Sequence, residues 1–265
     1  MEFRNRYGPW ALVTGASSGL GAEFARQLGR RGLNLILVAR RRDRLEHLAG
    51  QLRHAAQVET RVIPADLTEP AAAARLEQET AGLDLGLLVN NAGFGWSGAF
   101  LQQDPENVAR MVRLNCEAPA ALARRLLPRI AARGRGGMIL VASAAAYQPT
   151  PWMSVYGATK GFALLLGEAL AQEMREKGVD VLTVSPGHTE SEFHAVAGVS
   201  GAVAGGAARP EDVVRETLDR LGRSLSFVHG WHNKALIWGG RCVTRRMAAR
   251  ISGRLLAARL PRSMA

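Results

Sequence analysis

The chain has 265 residues, 47% of them hydrophobic, enough apolar material for the core of one α/β domain. Its two cysteines, Cys116 and Cys242, stand in neither a Cys-x-x-Cys nor a metal-ligand spacing, so no disulfide framework is expected and a reducing cytoplasm suits the chain. The net charge of +11 sits at one end, because ten Lys and Arg but no Asp or Glu follow Asp219, and the nearly neutral remainder argues against a nucleic-acid-binding fold.

The opening stretch MEFRNRYGPWALVTG lacks the apolar core of a secretory signal, and no run approaches the roughly 20 apolar residues of a bilayer span, so the chain reads as soluble. From there, short apolar runs predict strands at 10–14, 34–39, 58–65, 85–90, 137–143, 180–186 and, more weakly, 225–229. Helical patterns fill the gaps at 19–31, 43–55, 69–81, 105–132, 154–177 and 210–222. Near-continuous apolar strands alternating with helices predict a mainly parallel, seven-stranded sheet covered on both faces, a doubly wound Rossmann-type α/β fold. The reading places one domain over 1–240 and a basic extension over 241–265. A Gly/Ala-rich stretch, 195–209, carries no secure element.

The first strand runs through Thr-Gly-Ala-Ser-Ser-Gly-Leu-Gly, Thr14 to Gly21, into a helix. Gly15, Gly19 and Gly21 let the backbone approach a pyrophosphate, and Ser17, Ser18 and Leu20 lie where helix N–H groups face it, which makes this a candidate dinucleotide loop. The second strand ends in Val-Ala-Arg-Arg-Arg-Asp-Arg, with Arg40 at the place where an acid would accept from a ribose 2′-hydroxyl. Guanidinium forks suit phosphate oxygens, so Arg40, with Arg41 and Arg42 beside it, points to NADP(H) over NAD(H); a solvated basic helix start is the other reading. Farther on, Tyr156 and Lys160 are four residues apart in a helical pattern and share a face. His229 and His232 are spaced as metal ligands are, yet no acid or cysteine nearby completes a set, and no metal is assigned.

Taken in order, these motifs resemble the short-chain dehydrogenase/reductase family in its form of about 250 residues, over about 8–230. Thr14–Gly21 resembles the family's cofactor loop, and Asn90-Asn91-Ala92-Gly93 its signature after the fourth strand. Asn115 occupies the helix asparagine position, Ser143 stands thirteen residues before Tyr156, and Tyr156-x-x-x-Lys160 completes the set. Pro186-Gly187-His188-Thr189 is similar to the motif beside the nicotinamide, and Asp66, followed by Leu67, to the acid that meets the adenine.

The resemblance implies carbonyl–alcohol interconversion with Asn115, Ser143, Tyr156 and Lys160 as catalytic residues. A free tyrosine has a pKa near ~10, and a cation within ~4–6 Å favours the phenolate, so Lys160 is expected to lower that value. The resemblance further implies that Lys160 binds the nicotinamide ribose and that Asn115 anchors a water linking Lys160 to solvent. Ser143 would hold the substrate oxygen as an oxyanion donor does. It also implies a homodimer or homotetramer built on the two long helices. The alternatives are a non-catalytic NADPH sensor or scaffold, and a nucleotide-sugar epimerase or dehydratase.

Phe94, Trp96, Tyr147 and Trp152 flank the motifs in loops, which, with Phe193 and 195–209 as a lid, points to a hydrophobic substrate pocket touched also by His188; loop packing explains the aromatics equally. The arginine-rich tail has three readings: a helix over the substrate site or a partner subunit, a weak contact with anionic membrane, or a solvated tail.

Overall fold

The computed structural model describes residues 2–190, 192 and 206–258. Seven strands, β1 (Trp10–Thr14), β2 (Asn34–Ala39), β3 (Thr60–Pro64), β4 (Leu85–Asn90), β5 (Gly136–Val141), β6 (Val179–Ser185) and β7 (Ser226–Val228), form one sheet in the order β3-β2-β1-β4-β5-β6-β7. Every pairing is parallel. This is the doubly wound Rossmann-type fold that the alternating pattern predicts. The chain leaves β1 in one direction and returns to β4 on its other side, so a crevice opens between these two strands at their carboxyl ends.

Two-residue alternation along the strands divides the core. Ala11, Val13, Leu35, Leu37, Leu87 and Val89 face helices α2 (Gly19–Arg30), α3 (Arg42–Ala56) and, after α4 (Ala72–Glu79), α5 (Pro105–Val112), α6 (Ala118–Ala132) and α7 (Ser154–Arg175), also α8 (Pro210–Arg220). Leu12, Ile36, Val38, Leu88, Met138 and Leu140 face the other way, onto α4, α6 and α7. Phe24 of α2 is fully buried, a contribution of about 1.5–3 kcal/mol for a side chain of its kind. Gly167 lets α7 lie tight on β6, since a Cβ there would fall 1.9 Å from the Thr183 Oγ1.

The expected helix over 105–132 is one helical run with a π-turn, Arg113–Glu117, between α5 and α6. Pro119 is the reason. It has no N–H to return to the carbonyl four residues back, which is that of Asn115, so the ordinary register cannot continue there. Three helices lie outside the predicted set: a short one at Glu2–Tyr7, then α9 (Trp231–Arg241) and α10 (Arg245–Ala257). The first is tied down by contacts distant in sequence, the Tyr7 hydroxyl donating to Asp180 Oδ2 at 2.7 Å. Among the described residues, no helix is long and apolar enough to cross a membrane. Phe193 and most of 195–209 fall outside the described residues.

Candidate active site

Thr14 ends β1 and organises the crevice. Its Oγ1 accepts from the Asn91 and Ala92 N–H groups, both at 3.0 Å, while Asn91 Nδ2 donates to the Thr14 carbonyl at 2.9 Å. These bonds lock the turn after β4 to the glycine loop after β1. Gly15 has φ +67°, and a Cβ on it would lie 2.8 Å from Asn91 Nδ2. At Gly21 a Cβ would fall 2.1 Å from the Gly15 carbonyl oxygen. Ser18 precedes α2 in extended conformation without capping it, and no acid occupies the first turn. Leu20 lies in that turn. The glycine cradle and a helix N-terminus whose first turn carries no acid fit a dinucleotide's pyrophosphate.

The arginines after β2 divide in a way the sequence does not reveal. Arg41 reaches back to the loop, donating to Ser17 Oγ at 3.0 and 3.3 Å and to Ser18 Oγ at 3.0 Å. Arg40 is exposed, and its charge acts on Asp66. The Asp66 carboxylate accepts from Thr68 N–H and hydroxyl at 2.9 and 2.8 Å; these bonds, with Arg40 and Arg110, outweigh desolvation and hold it below its usual range. Leu67 beside it is buried.

The expected catalytic residues converge at the carboxyl ends of β4 and β5. Ser143 follows β5, accepts from the Ala145 N–H at 3.1 Å, and is hydrogen-bonded to the Tyr156 hydroxyl. Lys160 lies one turn farther along α7, with Nζ 5.8 Å from the Tyr156 ring centre and donating to the Val141 carbonyl at 2.8 Å. Tyr156 and Lys160 are both buried. Gly93 packs against Asn115 and Lys160, for a Cβ there would lie 3.0 Å from Asn115 Oδ1 and 3.4 Å from Lys160 Nζ.

Here the structure corrects the electrostatic expectation. Burial pushes the Tyr156 phenol up to about 12, only partly offset by the Ser143 hydrogen bond, and pushes Lys160 down to about 8. Burial is the dominant influence on both groups, and the Lys160 ammonium donates to the Val141 carbonyl. Asn115 packs beside this pair with its side chain fully engaged. Its side chain bonds the Phe94 N–H and carbonyl at 3.1 and 2.9 Å and Thr159 Oγ1 at 3.0 Å, so it is spent on fixing the loop after β4.

The post-β6 segment joins the same place. The Pro186 carbonyl accepts from the Ala144 N–H at 2.8 Å, next to Ser143. Gly187 lies against Asn233 of α9, whose Nδ2 would meet a Cβ there at 2.2 Å. His188 is half-buried and its carbonyl accepts from Ala208 N–H at 2.9 Å, while Thr189 bridges in parallel to Ala208. Phe94, Trp96, Tyr147 and Trp152 are half-buried in the loops beyond β4 and β5. His229 lies 2.6 Å through Nδ1 from Glu216 Oε2, and among the described residues no three His, Cys, Asp or Glu groups converge.

Sequence reasoning passed over Thr14, Cys116, Thr159 and Asn233. Cys116 feels the Lys160 charge, although burial raises its thiol. Only Thr14 carried a signal, as the last strand residue before the glycine loop.

A family model described as short chain dehydrogenase matches residues 9–198. The 7beta-hydroxysteroid dehydrogenase of Collinsella aerofaciens is 34% identical over 238 residues, covering 88% of this chain and 90% of that protein. A short-chain dehydrogenase from Sphingobium yanoikuyae, solved in complex with NADPH, has a TM-score of 0.80 and 35% identity over 97% of this chain and 98% of its own. The bulky-bulky ketone specific alcohol dehydrogenase from Comamonas testosteroni has a TM-score of 0.76 and 34% identity over 97% of both chains.

Proposed function

We propose, from the premise that this chain belongs to the short-chain dehydrogenase family, that it is an NADP(H)-dependent oxidoreductase interconverting a hydrophobic carbonyl compound and its alcohol. One observation carries the reading: the Ser143 and Tyr156 hydroxyls meet over a buried lysine at the mouth of the β1–β4 crevice. A bound nicotinamide supplies or accepts the hydride. The chain's own residues deal with the oxygen and its proton. A carbonyl oxygen placed at the meeting point of Ser143 and Tyr156 accepts from both, so charge developing on it is stabilised there. A phenol held at about 12 keeps its proton at neutral pH and gives it up to the alkoxide oxygen formed in reduction. Lys160, poised near 8, then balances the phenolate and can pass a proton on. The Asn115 carbonyl, deprived of an N–H by Pro119, is the group left to anchor a water toward solvent, since the Asn115 side chain is engaged.

Gly15, Ser17, Ser18, Gly19, Leu20 and Gly21 would hold the pyrophosphate, with Asp66 and Leu67 on the adenine side and Asn91, Ala92, Gly93, Pro186, Gly187 and Thr189 along the crevice. Arg41, set among the Ser17 and Ser18 hydroxyls, would favour a 2′-phosphate that takes the place of the Glu192 carboxylate now paired with it at 3.0 Å, with Arg40 beside it. The NADPH in the Sphingobium structure supports the cofactor, and the hydroxysteroid specificity of the Collinsella enzyme and the bulky-ketone specificity of the Comamonas enzyme support a bulky, apolar substrate. The half-buried aromatics around Ser143 agree.

The test follows NADPH absorbance over hydroxysteroid-type ketones, bulky aryl ketones and small sugars, with Tyr156→Phe and Arg41→Ala alongside wild type. Bulky ketones should be turned over and Tyr156→Phe should lose on the order of 10²–10⁴ in kcat with NADPH binding retained. Arg41→Ala should weaken NADPH and leave NADH. Turnover of sugars alone, or an active Tyr156→Phe protein, overturns the reading.

A further inference from the structure

Helices α9 and α10 carry two different faces. The inner face of α10 is clasped to the segment between Ser143 and Tyr156. Ala248 and Ser252 are buried, Ser252 Oγ donates to the Pro149 carbonyl at 2.7 Å, and Trp152 Nε1 donates to the Gly253 carbonyl at 3.1 Å. A Cβ on Gly253 would lie 3.3 Å from Pro151 Cγ, so helix and loop are flush. The helix therefore braces the loop that follows the candidate oxyanion donor.

The outer face is apolar and cationic together. Met247, Ile251 and Leu255 form a row one turn apart and are 48, 49 and 48% exposed. Arg246, Arg250 and Arg254 flank that row, are exposed, and pair with no carboxylate among the described residues. On α9, Trp231 and Leu236 are 70 and 58% exposed, with Lys234 exposed between them. No acid occurs anywhere after Asp219. A two-fold contact of this face with itself would set like charges against each other. An apolar row edged by unpaired arginines, with an exposed tryptophan, is what a helix needs to lie in the plane of a bilayer interface, its charges meeting anionic headgroups.

We propose that the outer face of α10 and the exposed side chains of α9 dock the protein on an anionic lipid surface, with α10 lying between that surface and the loop its inner face braces. Docking stands on this face alone. The consequence that substrate is drawn from the lipid rests on the hydrophobic-substrate reading above.

Flotation of the full chain with phosphatidylcholine vesicles, and with vesicles about one third phosphatidylglycerol, tests it. Recovery should rise about tenfold on the anionic vesicles, fall in high salt, and drop about tenfold for Arg250→Glu/Arg254→Glu and for Ile251→Asp. All of these residues face outward, and thermal melts matching wild type would establish that the variants fold. Equal recovery on both vesicles, or variants that float as wild type does, overturns the proposal. So does a change in the oligomeric mass of Ile251→Asp without vesicles, which would make the face a subunit contact. A bulky ketone embedded in the anionic vesicles should be reduced several-fold faster by wild type than by the double variant. If no bulky ketone is reduced in any form while flotation persists, the substrate reading fails and docking stands.

Discussion

Lys160 shows what burying a charged member of the candidate site costs. Its ammonium is buried with one carbonyl partner, and desolvation lowers its pKa from 10.5 to about 8. At neutral pH both the folded and unfolded chains hold the proton, and the folded state bears the whole penalty, on the order of 3 kcal/mol. Between about 8 and 10.5 the unfolded chain binds a proton that the folded chain has lost, so this group makes stability rise with pH across that window. Lys160→Met should therefore unfold at higher urea than wild type at pH 7 while losing turnover. The gap should narrow as the pH passes through the window, and a gap independent of pH would show that desolvation of Lys160 is not its source. Tyr156 runs the other way: its phenol, raised from 10.0 to about 12, subtracts stability only above pH 10. In the proposed reaction such a phenol would keep its proton at neutral pH until an alkoxide claims it.

At the scale of elements, the phosphate loop works by contact between backbones. A methyl at Gly21 would sit 2.1 Å from the Gly15 carbonyl, and neither group belongs to a flexible side chain. Gly21→Ala must push α2 away from β1. It should cost about 1–3 kcal/mol in unfolding free energy, with a larger relative loss in NADPH affinity measured by fluorescence. A loss of stability with unchanged affinity would remove the loop from the cofactor site. The other telling element is the π-turn. A residue pattern of period 3.6 runs unbroken through 105–132, yet the run opens into a π-turn where Pro119 lacks the N–H for the Asn115 carbonyl, whereas Pro128 is carried within α6 without one. Strand and helix positions were legible because burial on both faces of a parallel sheet writes continuous apolar runs. α9 and α10 were not, because their fixed positions come from contacts such as Trp152 to Gly253, a hundred residues apart, rather than from a clean apolar stripe.

At the scale of the whole molecule, an apolar surface remains on α5 and α7. Val112, Phe162 and Leu165 are 38, 41 and 68% exposed. With the proposed homodimer or homotetramer formed through these helices, Leu165→Arg should reduce the sedimenting mass by at least one halving while leaving the circular dichroism spectrum unchanged. Wild type sedimenting as a single chain would discard the assembly. This face and the outer face of α9 and α10 involve different helices, so Leu165→Arg and the flotation variants separate self-association from lipid docking.

The amino-acid sequence by itself indicated the parallel, doubly wound sheet and the glycine loop, because these are written locally, as continuous apolar runs and as glycine where backbones touch, and it offered the Ser143, Tyr156 and Lys160 set through the family resemblance. Only the tertiary structure decided which arginine reaches Ser17 and Ser18, that the Asn115 side chain is consumed by Phe94 and Thr159, and that the terminal helices brace the loop beyond Ser143. It also reversed the direction in which Tyr156 is shifted. Desolvation and hydrogen-bond partnership depend on what the whole chain packs around a group, and no spacing along the sequence encodes that.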